Sequence, residues 1–376
     1  MSPKTKIVII GGSYTGIGLG KALLKSIPNI KIVIINPSDK FFFNIASPRI
    51  LAKPKAFQTD QYLIPIADAF ADSPSGNFEF IQGRAIDIDP TSKTVTVSDR
   101  GDISFDYLVI ASGSSTPSSI GNASTLAPFK PTGDNNLEAS IKAAQHELSI
   151  AKTVVIGGAG AVGVEFAGEL AEALKGKNAR ITLVSATWHV LPNLKKAASK
   201  KAEMILAGKG VTLRRSCKVV KAVRDDTSKK WTVTLDDGKT METDAYVSTT
   251  GVIPNNQFIP AQFLDNKGWV DVDGEMRVKG SSSIYAIGDI TSHSARLLLK
   301  AQEQIPVVSS NLKNDILGQS KRKKYGPDDK LMMIVPVGST SGTGQMFGMV
   351  PWGKMVAMVK GKDFFVSKAR DMIGLK

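Results

Sequence analysis

A chain of 376 residues with 42% hydrophobic and 22% charged side chains, 34 glycines and 18 prolines has the composition of two or three globular domains and excludes a disordered polymer. Its 48 Lys and Arg against 34 Asp and Glu leave a net charge of +14, which admits nucleic acid, an anionic membrane or a phosphorylated ligand and chooses none of them. The single cysteine, Cys217, excludes an intrachain disulfide, a Cys-x-x-Cys redox pair and a zinc cluster.

The opening Met-Ser-Pro-Lys-Thr-Lys leads into four apolar residues, Ile7 to Ile10, too few for the core of a signal peptide. No run approaches the length that spans a bilayer, and no glycine follows Met1 to accept myristate. The expectation is a soluble, cytoplasmic protein.

The first strong pattern is Lys6-Ile-Val-Ile-Ile-Gly-Gly-Ser-Tyr-Thr-Gly16. An apolar run that breaks into small residues predicts a central parallel strand turning into a helix, here Ile17 to Ser26. Ile30 to Ile35 predicts the next strand and completes a βαβ unit. Lys93 to Val97 predicts a short meander strand, and Asp106-Tyr-Leu-Val-Ile-Ala-Ser-Gly113 a further buried strand. A second copy starts at Thr153-Val-Val-Ile-Gly-Gly-Ala-Gly-Ala-Val-Gly163, continues through helical Val164 to Leu174 and the strand Arg180 to Val184, and has its own meander, Lys230 to Leu235. Thr243 to Gly251 repeats the closing strand. After Ser283-Ile-Tyr-Ala-Ile-Gly-Asp289, helical periodicity runs from Ser294 to Leu312 despite Pro306. Asn314 to Lys330 reads as a polar linker, and Leu331 to Lys376 as a small appended region.

Gly-x-Gly-x-x-Gly between strand and helix binds a dinucleotide: the first glycine permits the turn, the second lets backbone approach the pyrophosphate, and the third packs helix on sheet. The helix N-terminus then faces the phosphates. The second copy matches completely with Gly158, Gly160 and Gly163. The first has Gly11, Gly12 and Gly16 with Ser13 in the middle position, a small change compatible with binding. Neither copy has the ribose-binding acid at the end of its second strand. Asn36 stands there in the first and can bond a diol; Ser185 stands there in the second, which makes NADPH admissible beside NADH. Lys195, Lys196, Lys200 and Lys201 follow, as phosphate contacts or as a solvated helix face.

Twelve Lys and Arg between Lys195 and Lys230, against Glu203, Asp225 and Asp226, supply +9 of the +14. The charge is local, and without interleaved aromatics or a recognition element it disfavours nucleic acid as a partner. The three histidines, His146, His189 and His293, show no triad or metal spacing.

The two dinucleotide motifs, the strand endings Ala111-Ser112-Gly113 and Thr250-Gly251, the segment Val252-Ile-Pro-Asn255, and Ile284-Tyr-Ala-Ile-Gly-Asp289 together resemble the pyridine nucleotide-disulfide oxidoreductase superfamily. Phe41-Phe-Phe-Asn-Ile-Ala-Ser-Pro-Arg49, Gly163-Val-Glu-Phe-Ala-Gly-Glu169 and Lys360-Gly-Lys-Asp-Phe-Phe-Val-Ser-Lys368 are similar to its apoptosis-inducing-factor-like branch, with its short fungal members and ferroptosis-suppressor quinone reductases. The resemblance implies an α/β fold of two Rossmann-like domains: an FAD domain over 1–125 and 252–315, an inserted NAD(P)H domain over 126–251, and a short C-terminal α+β region over 316–376. It places FAD against Gly11, Gly12, Ser13, Gly16, Asn36, Arg49, Ala85, Ala111, Ser112, Gly113, Asp289 and Gln304, and NADH or NADPH against Gly158, Gly160, Gly163, Ser185 and Gly251. Glu165, expected in the first turn of its helix, is the candidate proton carrier, or else a carboxylate favoured there by the helix dipole. Lys300 is expected to stabilise reduced flavin, or else to be a solvated helix residue.

The redox cysteine pair of the disulfide reductases and the long dimerisation domain of the glutathione-reductase relatives are missing, so the electrons are expected to pass to a small acceptor, a quinone in the first reading and a fungal secondary metabolite in the second. A flavin-containing signalling or DNA-binding protein is a third. The tail is rich in Met and aromatics, from Met332 to Met358; core packing is the default for them, and an acceptor tunnel or a membrane-facing patch rimmed by Lys354, Lys360, Lys362 and Lys368 is the alternative. Oligomeric state is left open.

Overall fold

Continuous apolar runs become the inner strands of two all-parallel sheets. The computed structural model describes residues 3–116, 127–131, 136–318, 321–326 and 331–375, so the expected domain boundary at 125/126 lies outside the described residues. In the first sheet the strands lie in the order Ile284–Ala286, Tyr107–Ile110, Thr5–Ile10, Ile30–Asn36, Phe78–Gln82. In the second the order is Val211–Arg214, Arg180–Val184, Thr153–Gly157, Ala245–Ser248. Ile7, Val8 and Ile9 are fully buried, as a strand covered on both faces requires, and each contributes about 1.5–3 kcal/mol of apolar burial.

Leaving aside Ile284–Ala286, the two sheets have one topology: counted along the chain, third, second, first and fourth strand in each. Each also carries a three-stranded antiparallel meander between its third and fourth strands, Ala85–Asp89 with Thr94–Val97 and Gly101–Ser104 in one case, Val219–Arg224 with Trp231–Leu235 and Thr240–Thr243 in the other. The repeat legible in the motifs is thus a repeat of whole folding units.

The first helix is Tyr14–Ser26 and its counterpart is Ala161–Ala173. Both begin about three residues before the periodicity predicts, because Ser13 and Gly160 are the caps and the small residues after them are already helical. The long helix is Leu298–Leu317 and continues through Pro306. It ends at Gly318, whose φ of 65° terminates it in the left-handed conformation. The expected linker therefore starts inside a helix. Residues 321–326 are also docked: the Tyr325 N–H donates to Gly274 O at 2.7 Å, and the Asn311 amide donates to Lys323 O at 2.8 Å. Residues 319–320 and 327–330 of that segment lie outside the described residues.

The tail forms a hairpin, Met333–Pro336 with Gly342–Gln345, and a short helix from Gly353 that widens to π-type over Ala357–Gly361. The Thr343 hydroxyl donates to Ala198 O at 3.0 Å. Both carboxylate oxygens of Glu172 accept the Ser339 N–H at 3.0 Å. The tail is thus bolted onto the second unit.

Candidate active site

The two glycine loops have the same geometry. Gly11 has φ +120° and Gly158 φ +106°, values open to glycine. A Cβ on Gly16 would lie 1.9 Å from Gly11 O, and one on Gly163 would lie 2.0 Å from Gly158 O. The middle position differs in the informative way: a Cβ on Gly160 would meet nothing within 4 Å, which leaves room for a pyrophosphate, and Ser13 occupies the same place in the first loop. Neither helix has a side-chain cap or an acid in its first turn, so both N-termini present free N–H groups and an uncompensated positive dipole end to an anion. These residues fit the phosphates of two dinucleotides. Gly16→Ala is expected to abolish flavin retention and Gly160→Ala to keep flavin while raising the KM for the nicotinamide, checked by the ratio of flavin to protein absorbance and by steady-state kinetics.

Around the first loop the structure brings together most of the expected flavin residues. A Cβ on Gly11 would lie 2.2 Å from Ala111 O, and one on Gly288 would lie 2.8 Å from the Thr15 hydroxyl. Asn36 accepts the Gly12 N–H at 2.9 Å and donates to Ser38 O at 2.7 Å, so one acceptor and one donor of its amide hold the loop and fewer remain for a diol than its place in the strand suggested. Gln304, fully buried, accepts the Gly288 N–H at 2.7 Å, and its amide nitrogen has no partner among the described residues. Asp289 accepts from Ser114 at 2.9 Å and from Lys130 at 2.8 Å. Ser112 and Asn255 are tied reciprocally, Ser112 Oγ to Asn255 O at 2.9 Å and Asn255 Nδ2 to Ser112 O at 2.7 Å. Ala85 is buried at the start of its strand, two residues past Gly83, whose N–H donates to Asn36 O.

In the second loop Thr249 Oγ1 donates to Gly157 O at 3.0 Å and Gly158 O at 2.8 Å. Gly251, at φ +61°, matches Gly113 at φ +66° at the end of the other closing strand. Ser185 is buried, and its hydroxyl faces Thr187 and the His189 carbonyl, so it is not presented to a ribose as expected. The basic residues Arg214 and Arg215 stand at the neighbouring strand end, where Ser185 N–H donates to Arg214 O at 2.7 Å. The Arg215 guanidinium lies 5.9 Å from the ring centre of exposed Trp188.

Glu165 is the fifth residue of its helix, not in the first turn, because the helix starts at Ala161; the dipole account of this residue therefore fails. It is buried, and Lys360 Nζ donates to it at 2.6 Å. Burial pushes the carboxyl above the ordinary carboxylate range although Lys360 pulls it down. Arg49 is also placed differently from the expectation. Its Nε and one terminal nitrogen bind both oxygens of buried Glu169 at 2.8 and 2.7 Å, and its terminal nitrogens donate to Lys362 O and Gly361 O, both at 2.7 Å. Four of the five N–H groups are engaged, so Arg49 is a clamp between the first unit, the second and the tail. Glu165, Glu169 and Glu172 recur at i, i+4 and i+7 on one helix face. They meet Lys360, Arg49, Lys53 and Lys209. Against the cost of burial, hydrogen bonds from Lys209 and Lys53 hold Glu172 at about 2. The Phe364 ring lies under both Arg49 and Lys360, at 4.8 and 5.4 Å.

Lys300 binds Glu303 on its own helix at 3.1 Å. Four of the twelve basic side chains of that run meet carboxylates: Arg214 with Asp237, Arg215 with Glu203, Arg224 with Glu147, Lys209 with Glu172. Lys195 and Lys201 bind the tail carbonyls of Gly348 and Pro351. His189 faces Glu203 at 3.0 Å. No cluster of metal-ligating side chains occurs among the described residues.

The model of the pyridine nucleotide-disulphide oxidoreductase family matches residues 5–304. The chain belongs to that family. FAD and NAD(P)H are accordingly its cofactors, and it is a pyridine nucleotide-dependent oxidoreductase and flavoprotein. It is 34% identical to oxidoreductase ptaL of Pestalotiopsis fici, with 96% of each chain covered. It is 28% identical to ferroptosis suppressor protein 1 of Taeniopygia guttata, covering 98% of this chain and 96% of the relative. Its fold matches the sulfide:quinone oxidoreductase of Aquifex aeolicus with a TM-score of 0.78 at 21% identity, over 98% of this chain and 92% of the other. Within this member of the family, Lys130 has no place in any of these motifs, while Glu169, Thr249 and Phe364 stand inside quoted segments without a role assigned to them; the i, i+4, i+7 spacing of Glu165, Glu169 and Glu172 was the one further signal.

Proposed function

We propose that this chain carries two electrons from NAD(P)H to a small, diffusible acceptor of the quinone class. The observation that supports this most is the buried Glu165–Lys360 pair. Reducing a quinone takes up protons as well as electrons, and a buried carboxyl whose affinity for a proton is raised by burial, bonded to an ammonium, is a group suited to passing one on. FAD, when bound, supplies the ring that accepts hydride from nicotinamide and gives up two electrons. Gly11, Gly12, Ser13 and Gly16 would hold its pyrophosphate, with Asn36, Ala85, Ala111 to Gly113, Gly288, Asp289 and Gln304 around it; Gly158, Gly160, Gly163 and Gly251 would hold the nicotinamide dinucleotide. The lone cysteine, Cys217, is buried, which supports an acceptor that diffuses in over a dithiol relay.

A second reading, a fungal tailoring flavoenzyme acting on a secondary metabolite, is favoured by the 34% identity to a fungal oxidoreductase. Anaerobic mixing of the flavoprotein with NADH or NADPH, followed by a panel of quinones, separates the cases. Flavin bleaching followed by rapid reoxidation is the expected result. Bleaching that no quinone reverses would favour the second reading, and absence of bleaching with either donor would overturn both. With no acid at Ser185 and Arg215 beside Trp188, NADPH is expected to bleach the flavin at least as fast as NADH.

A further inference from the structure

The tail packs into the core at its ends, through Val335, Val337, Phe364 and Val366, but not in its middle. Within thirteen residues, Phe347 is 76% exposed, Met349 69%, Trp352 83% and Met358 72%, with Met355 and Val359 also on the surface. A patch of this kind on a protein surface marks something that covers it. It is also held in shape. Met346 and Met349 exchange backbone hydrogen bonds at 2.9 and 2.8 Å, closing a tight turn with Phe347 and Gly348 at φ 48° and 76°, so that Phe347 stands at the tip. Lys195 and Lys201 bind the Gly348 and Pro351 carbonyls from behind. On the following helix Val356 and Gly361 are buried while Met355, Met358 and Val359 face out. The apolar side is thus presented where a solvated helix would be polar.

The surroundings select the partner. From Leu331 to Lys362 there is no Asp or Glu, and Lys354 and Lys362 are exposed beside the patch with Lys196 and Lys200 on the adjoining helix. A second copy docked face to face would bring these cations together. A nucleic acid would satisfy the cations and leave Phe347, Met349 and Met358 wet. We propose that residues 346–362 seat this protein on an anionic lipid bilayer, with Phe347, Trp352 and Met358 in the headgroup region and the lysines at the phosphates. No helix of the described residues is long and apolar enough to cross a membrane, so the contact is interfacial. The segment that meets lipid also carries Lys360, turned inward to Glu165. On the quinone reading, the lipid-facing stretch and the partner of the candidate proton carrier thus belong to one short segment.

The test is cosedimentation of the full-length flavoprotein with phosphatidylcholine vesicles with and without phosphatidylserine. Binding is expected mainly to the anionic vesicles. Phe347→Ser with Trp352→Ser should lower it more than about tenfold, and Lys354→Glu with Lys362→Glu should remove the phosphatidylserine increment alone. Equal binding by parent and variants, or none by the parent, would overturn the proposal. So would a sedimentation shift from dimer to monomer in the Phe347/Trp352 variant without vesicle binding, or capture of an oligonucleotide in place of lipid. Turnover of a water-soluble quinone, measured in the same samples, reports on the redox reading separately: vesicle binding without turnover leaves the lipid surface standing and removes the quinone.

Discussion

Replacing Glu169 with alanine is expected to lower the stability of the protein by about 3–5 kcal/mol, the range for stranding one partner of a buried ion pair. Arg49 would keep its two carbonyl partners, Gly361 and Lys362, and lose both carboxylate bonds. Lys53 would retain only Glu172. A guanidinium with its charge uncompensated inside protein is the unfavourable species, so the double variant Arg49→Met/Glu169→Leu should recover most of the loss. Urea unfolding followed by flavin fluorescence and by far-ultraviolet dichroism checks this. Identical midpoints for Glu169→Ala and the double variant would show that the cost lies in packing and not in the stranded charge.

Glu165→Gln is expected to slow quinone reduction about 100-fold, within the usual range for a lost general acid. The amide still accepts a hydrogen bond from Lys360, so the fold should hold. A carboxyl raised by burial keeps its proton to higher pH than an ordinary carboxyl does, and its proton-donating form is lost as pH rises through the raised pKa. The parent's rate should therefore decline with rising pH, and the variant's should lack that limb. Ferricyanide takes electrons without protons and should be reduced by both at similar rates. An equal loss with ferricyanide would place Glu165 in binding or hydride delivery instead.

How much of this was legible depends on how far apart the interacting residues lie. The strand–glycine–helix units are local, and Arg180–Val184 appears with the bounds its β-branched run predicts. Helix starts were placed late because Ser13, Gly160 and their small successors carry no apolar periodicity. Arg49 and Glu169 are separated by 120 positions and Glu165 and Lys360 by 195, and no spacing rule joins them. The resemblance therefore placed Arg49 beside the flavin without its Glu169 partner, which only the fold brings to it. Ser185 was misread for a related reason: its place in the strand was right, and the turn after it rotates the hydroxyl inward. In the tail, composition could not separate core methionines from surface ones, because both are simply apolar until a backbone orients them.

The two passages between the sheets are neighbours. Ser114–Ser115 leaves the first unit and Ile253–Pro254 returns to it as an antiparallel pair, locked by Ser115 Oγ donating to Asn255 Oδ1 at 2.7 Å. The strand Ile284–Ala286 must find Leu108 across the whole inserted unit, which by chain separation alone is a slow, high-entropy closure. Once the insert has folded, its two ends meet, and the search shrinks to that of a short loop. The outer sheet should therefore complete after the inner one, and variants that loosen the insert should slow refolding of the sheet that encloses it.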